Sequence, residues 1–133
     1  MHAVRSDWAD LFPDRFPPTV VPVPIHPRKY FRRGFNLPAR IGLRLARRAG
    51  WTFAPLLLRR VRDGAPQAGL PAERRSGNIR GAFAVPPGAV VPRRILLLDD
   101  VYTSGATAQE CALALKRGGA EHIVVVTVAR AVP

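Results

Sequence analysis

Two aspartates end an apolar run and are followed at once by small and hydroxyl residues, in the stretch Ile95 to Thr107, ILLLDDVYTSGAT. Four consecutive aliphatics without alternation, Ile95 to Leu98, predict a strand buried on both faces, as in a parallel sheet. Asp99 and Asp100 stand at its carboxyl end, where open α/β sheets bind their ligands. Carboxylates accept hydrogen bonds from a vicinal diol. Their hard oxygens also suit Mg2+, held directly or through water. Thr103, Ser104 and Thr107 add hydroxyl donors, and Gly105 beside Ala106 allows a ligand close to the backbone. A helix starting here directs N–H groups and the positive end of its dipole at the loop, which suits a phosphate monoester. The stretch therefore reads as a site for a 5-phosphorylated ribose, with Asp99 and Asp100 on the sugar hydroxyls and on Mg2+. A helix cap alone accounts for one polar residue, not for this run of them. Neither a GxxxxGK[ST] loop nor a GxGxxG fingerprint is present.

Cationic segments lie upstream. Between Arg28 and Arg80 there are 14 basic residues against Asp63 and Glu73 alone. Arg28, Lys29, Arg32, Arg33 and Gly34 form a loop interleaved with Tyr30, Phe31 and Phe35. Such a loop can grip a pyrophosphate. It can equally hold single-stranded nucleic acid, with phosphates on arginine and bases on rings. A second group, Arg59, Arg60, Arg74 and Arg75 with Arg62 and Arg80, crowds residues 59–80, a polar stretch punctuated by Gly and Pro. A stretch of that length without periodicity reads as a binding loop or hood that closes on a substrate. His26 has no second ligand near it in sequence and reads as structural. No side chain near the motif has the setting of a general base, so no catalytic residue is assigned.

The elements that must position these residues follow from periodicity. Residues 1–18 end in Pro17-Pro18 and read as an N-terminal extension. The domain would run from 19 to 133. TVVPVPI (19–25) predicts a strand whose prolines mark an edge or an end. Asn36 is a candidate N-cap for a helix over LPARIGLRLARRA, stopped by Gly50, with Ile41, Leu45 and Ala49 inward and Arg40, Arg44, Arg47 and Arg48 outward. WTFAPLLL (51–58) reads as a strand broken by Pro55, and GAFAV (81–85) as a short strand before a PPG turn. Ala108, Cys111, Ala112 and Leu115 recur at helical spacing before Gly118-Gly119, and HIVVVTV (122–128) predicts another buried strand. The fold class is α/β, with a mostly parallel central sheet flanked by helices.

Composition bounds the remaining choices. The net charge is +12, carried by 21 basic residues of which only Lys29 and Lys116 are lysine. That field attracts polyanions. Cys111 is the single cysteine and reads as a small buried thiol, so neither a disulfide nor a cysteine zinc site can form within the chain. No apolar run is long enough for a transmembrane segment, and the N-terminus lacks a signal-peptide layout. The expected location is cytoplasmic.

The ILLLDDVYTSGAT stretch resembles the phosphoribosyl-pyrophosphate (PRPP) signature of type I phosphoribosyltransferases. VPVPIHPRKYFRRGFN (21–36), LLRRVRDGAPQAGL (57–70), ERRSGNIRGAF (73–83) and VVVTVARA narrow the resemblance to the ComF group of competence-associated, phosphoribosyltransferase-like proteins. It spans Val20 to Ala131. The resemblance implies ribose hydroxyls on Asp99 and Asp100, a 5′-phosphate wrapped by Thr103 to Thr107, a pyrophosphate loop near Arg28–Gly34, and a mobile hood over about 59–80. It also implies PRPP with Mg2+ as ligand and a role in DNA uptake, with a competence helicase as partner and single-stranded DNA as an alternative ligand. Exposed aromatic loops permit a homodimer. Purine-salvage members carry an acidic residue where this chain has Thr103, so purine salvage is not implied. ComF proteins usually begin with a four-cysteine zinc module, which one cysteine cannot supply.

Overall fold

The computed structural model describes residues 11–13, 16–25, 34–62, 79–102 and 105–130. Its elements, in chain order, are β1 (Thr19–Pro22), α1 (Leu37–Ala49), β2 (Thr52–Phe53), β3 (Arg59–Arg60), β4 (Phe83–Ala84), β5 (Arg94–Tyr102), α2 (Ala106–Arg117) and β6 (His122–Arg130). Four strands form a sheet in the order β2-β1-β5-β6, parallel throughout, and β3 pairs with β4 as a separate antiparallel hairpin.

Alternation along β1 and β5 divides the core between the two helices. Val20 and Leu96 join Ala46 of α1 on one face of the sheet. Val21, Ile95 and Leu97 join Cys111, Ala114 and Leu115 of α2 on the other. The hairpin closes this second layer with Phe83, alongside Leu58, Ile79 and Ala82. Ile95, Leu96 and Leu97 are fully buried, as four aliphatics without alternation predict.

α1 follows its sequence signals closely at both ends. The Asn36 side chain accepts a hydrogen bond from Ala39 N–H at 3.1 Å, and Gly50 ends the helix at φ +73. Its buried face is Pro38, Gly42, Ala46 and Ala49, rotated from the expected Ile41, Leu45 and Ala49, of which Ile41 and Leu45 are only half-buried. The physical reason is close approach. A Cβ on Gly42 would lie 3.1 Å from Phe53 Cε1 and 3.2 Å from Val20 Cγ1. Small residues let the helix backbone settle on the sheet, and the larger aliphatics flank that seam. α2 likewise buries Ala108, Cys111, Ala114 and Leu115, with Ala114 in place of Ala112.

One further expectation narrows and two change. β1 is an interior strand between β2 and β5, and its Pro22 marks the strand's end rather than a sheet edge. β6 lies at the edge of the sheet, and Val125 and Val128 are 40% and 50% exposed, so it is not buried on both faces. Arg59 and Arg60, read as part of a hood loop, form a two-residue strand whose rungs are Arg59 with Ala84 and Arg60 with Phe83. Two described residues of the segment 1–18 pack on the domain: Phe12 is buried, and the Arg94 guanidinium lies 4.8 Å from the Phe16 ring centroid.

Candidate functional site

β1 leads through α1 to β2 on one side, and β5 leads through α2 to β6 on the other. The winding direction reverses between β1 and β5, and the crevice beyond their carboxyl ends is where such sheets bind ligands. Pro22 is in register with Leu98, and Val23 N–H donates to the Leu98 carbonyl at 2.8 Å. The next residue on β5 is Asp99. The acidic pair therefore begins where β1 stops covering its neighbour.

The two carboxylates stand in different settings. Asp99 follows Ile95 and Leu97 on the α2 face and is only 7% exposed. Its Oδ1 accepts the Asp100 backbone N–H at 2.8 Å. Asp100 alternates toward the α1 face and is half-buried. Strand register is unbroken here: Asp99 pairs with Thr127 and Val101 with Ala129. Asp99 is thus the anchored member of the pair and Asp100 the more open one.

Both helix N-termini face the same end of the sheet, because each helix returns antiparallel to the strands it connects. They are finished differently. α1 is capped by its own Asn36 side chain. α2 begins at Gly105, held at φ +80, which has no side chain to cap with, and its first turn holds no acidic residue. With no acidic residue in its first turn and its dipole's positive end toward the strand terminus, the start of α2 suits an anion. Gly105, Ala106 and Thr107 thus lie just beyond the acidic strand end. Thr103 and Ser104, which the sequence places between them, lie outside the described residues, as do Arg28, Lys29, Arg32, Arg33, Arg74 and Arg75. Of the basic loop only Gly34 is described, at φ +73 on the approach to α1.

The electrostatic centre beneath the site is Cys111. Burial pushes its thiol far up, the Asp99 carboxylate pushes it further, Arg60 opposes, and Glu110 adds a smaller upward push. The thiol is therefore neutral and inert, as a buried cysteine is expected to be. Sequence reasoning missed the reach of Arg60. Its only legible signal was the β-type spacing around Phe83, which makes Arg60 and Phe83 register partners.

Among the described residues no three His, Cys, Asp or Glu side chains gather as a metal site. In enzymes Mg2+ commonly takes one or two protein carboxylates and completes its shell with ligand oxygens and water. Among the described residues, Asp100, half-exposed, and Asp99 offer carboxylate oxygens at this strand end. No helix among the described residues is long and apolar enough to cross a membrane.

Comparison with known proteins bears on the assignment. No family model matches the chain. Competence protein F of Haemophilus influenzae is 35% identical over 122 residues, covering 88% of this chain and 52% of that protein. DNA utilization protein YhgH of Escherichia coli K12 is 34% identical over 125 residues, 94% of this chain and 52% of its own. Competence protein ComFC of Streptococcus pneumoniae is 31% identical over 110 residues, 83% of this chain and 47% of its own. Among solved structures, an allosteric regulatory enzyme of purine biosynthesis and the glutamine PRPP amidotransferase of B. subtilis each superpose with a TM-score of 0.54 at 20% identity. Each covers 96% of this chain and 26% of the solved chain. The chain is a homologue of these competence and DNA utilization proteins, and its fold is that of the type I phosphoribosyltransferases. The chain spans about half the length of the curated relatives it matches.

Proposed function

We propose that this ComF-type domain binds PRPP or a related ribose 5-phosphate together with Mg2+, in a protein that serves DNA uptake. One observation carries the reading. An acidic pair, Asp99 and Asp100, ends the central strand at the winding reversal, and the helix that follows starts at a left-handed glycine with no side-chain cap. In this reading Asp100 and Asp99 accept the ribose hydroxyls, and the turn through Gly105, Ala106 and Thr107, with Thr103 and Ser104, receives the 5′-phosphate on backbone amides and hydroxyls. Mg2+, when bound, would neutralise phosphate charge and share the aspartate oxygens. The chain's own part in any transfer is to orient the sugar and hold charge while pyrophosphate leaves the anomeric carbon. The names of the relatives, competence and DNA utilization proteins, support the cellular setting.

Isothermal titration of PRPP with and without Mg2+ tests this. Saturable heat that requires Mg2+ and disappears in Asp99→Ala/Asp100→Ala is the expected result. No heat from the wild type, or unchanged heat from the double variant, rejects the reading.

A second reading, an accessory domain that binds single-stranded DNA, is favoured by one feature. α1 exposes Arg40, Arg44, Arg47 and Arg48, and no acidic residue occurs from Arg15 to Arg62. Arg40 also lies 5.1 Å from the Phe35 ring centroid. Fluorescence anisotropy of a labelled oligonucleotide across salt checks it. Binding that falls steeply with salt, and is lost in Arg44→Glu/Arg48→Glu, supports this reading, whereas binding indifferent to both rejects it.

A further inference from the structure

Arg60 lies outside the acidic strand, yet its charge reaches Cys111, which packs beneath that strand. The Arg60 guanidinium carbon is 5.2 Å from the centroid of Phe83, its register partner across the β3–β4 hairpin. Phe83 packs in the same cluster as Leu97 and Cys111. Asp99 projects from the Leu97 face of β5, two residues further toward the carboxyl end. The arginine on its aromatic platform and the aspartate on its strand therefore converge above the same part of α2. The Cys111 thiol registers both, Asp99 raising it and Arg60 lowering it.

The hairpin that carries Arg60 is firmly attached. Glu110 of α2 accepts the Gly81 N–H at 3.1 Å. Val61 N–H donates to the Ala82 carbonyl at 2.7 Å, one residue beyond Arg60, and the Arg62 guanidinium donates to the Arg80 carbonyl. The position of Arg60 is thus tied to the helix whose first turn faces the site. On the other side, Asp99 is 7% exposed. A carboxylate that far from water stays charged only with donors and a cation close by. The Asp100 N–H is one such donor.

We propose that Arg60 is a positioning residue for the ribose site: held over Phe83, its guanidinium fixes the Asp99 carboxylate so that Asp99 and Asp100 meet the ligand as a set. The inference rests on the phosphoribosyl-binding reading and adds a residue that acts through Asp99 without touching the ligand. It also separates Arg60 from Arg59, its exposed neighbour on the same strand.

A double-mutant cycle tests it, with PRPP and Mg2+ titrated into the wild type, Arg60→Gln, Asp99→Asn and the two combined. Arg60→Gln is expected to weaken binding about tenfold in the wild-type background and less than about twofold in the Asp99→Asn background, because the interaction it removes is already gone. Arg60→Lys, which keeps the charge, is expected to recover most of the loss, and Arg117→Gln, at the exposed far end of α2, to leave affinity unchanged. Phe83→Leu keeps the core apolar but removes the ring under the guanidinium. Its expected loss is about threefold, at the weaker end of such couplings, and it carries the test if Arg60→Gln does not fold. Equal losses in both backgrounds, or no loss from Arg60→Gln and Phe83→Leu while the wild type binds, overturn the role of Arg60 alone. Failure of the wild type to bind PRPP overturns the phosphoribosyl reading and this inference with it.

Discussion

Gly105 and Gly88 both hold φ at +80, one at the junction of β5 and α2, the other in the turn where Ala89 N–H donates to the Pro86 carbonyl at 3.1 Å. They offer a matched pair of substitutions. A Cβ on Gly88 would meet nothing within 4 Å, so Gly88→Ala changes backbone strain and little else. Left-handed backbone costs an L-residue roughly 1–2 kcal/mol. The stiffer unfolded chain returns roughly 0.4–1 kcal/mol. The net destabilisation is about 1 kcal/mol for either alanine, a fall of roughly 3–5 °C in Tm for a chain of this size. The effect on ligand separates them. If Gly105→Ala relaxes away from its left-handed setting, the first amides of α2 turn with it, and a bound phosphate loses a charge-assisted hydrogen bond. That is worth roughly 1.5–3 kcal/mol, or about tenfold or more in Kd. Thermal melts and PRPP titration on both variants give the answer. Equal losses of Tm with a loss of affinity confined to Gly105→Ala is the expected pattern. Wild-type affinity in Gly105→Ala, or an equal loss in Gly88→Ala, refutes the assignment of the phosphate to this turn.

Other consequences follow from packing and charge. Leu97→Ala removes a fully buried side chain of β5 from the core shared with Cys111 and Leu115, and denaturant unfolding is expected to show a loss of about 3–5 kcal/mol. Gly42→Val forces branched carbons against Phe53 and Val20, already 3.1 and 3.2 Å from a bare Cβ, and should cost about 1–3 kcal/mol in the same assay. Cys111 is held neutral in the fold by burial and by Asp99, while an unfolded thiol ionises above pH of about 8.5. Above that pH the unfolded chain binds fewer protons than the folded one, so stability falls as pH rises, by up to about 1.4 kcal/mol per unit. Unfolding curves from pH 8 to 10 should show this slope in the wild type beyond that of Cys111→Ala, and parallel slopes would show the thiol contributes none of it.

The local structure at the strand end was more legible than the packing beneath it. ILLLDDVYTSGAT announces its strand, its acids and its loop because each depends on local residue types: unbroken aliphatics, paired carboxylates, a glycine that tolerates φ +80. Asn36 and Gly50 mark α1 for the same reason, since caps are satisfied within a turn of chain. The rotation of α1 onto Gly42 and Ala46 was hidden, because a seam of small residues carries little hydrophobic signal and is chosen by the sheet it meets. The exposure of β6 was hidden too. An edge strand and a central one read alike when both are aliphatic, and only the strand order assigns the edge. Arg60 looked like one more cation in a basic stretch. Its pairing with Phe83, 23 positions later, depends on a hairpin whose strands are two residues long.

The most direct test of the central claim is a 15N-resolved titration of the chain with PRPP and Mg2+, followed at each backbone amide. The account predicts that the largest shifts fall on Asp99, Asp100, Gly105, Ala106 and Thr107, at the carboxyl end of β5 and the start of α2. Shifts confined to the arginine face of α1, or no shifts at millimolar ligand, would contradict it.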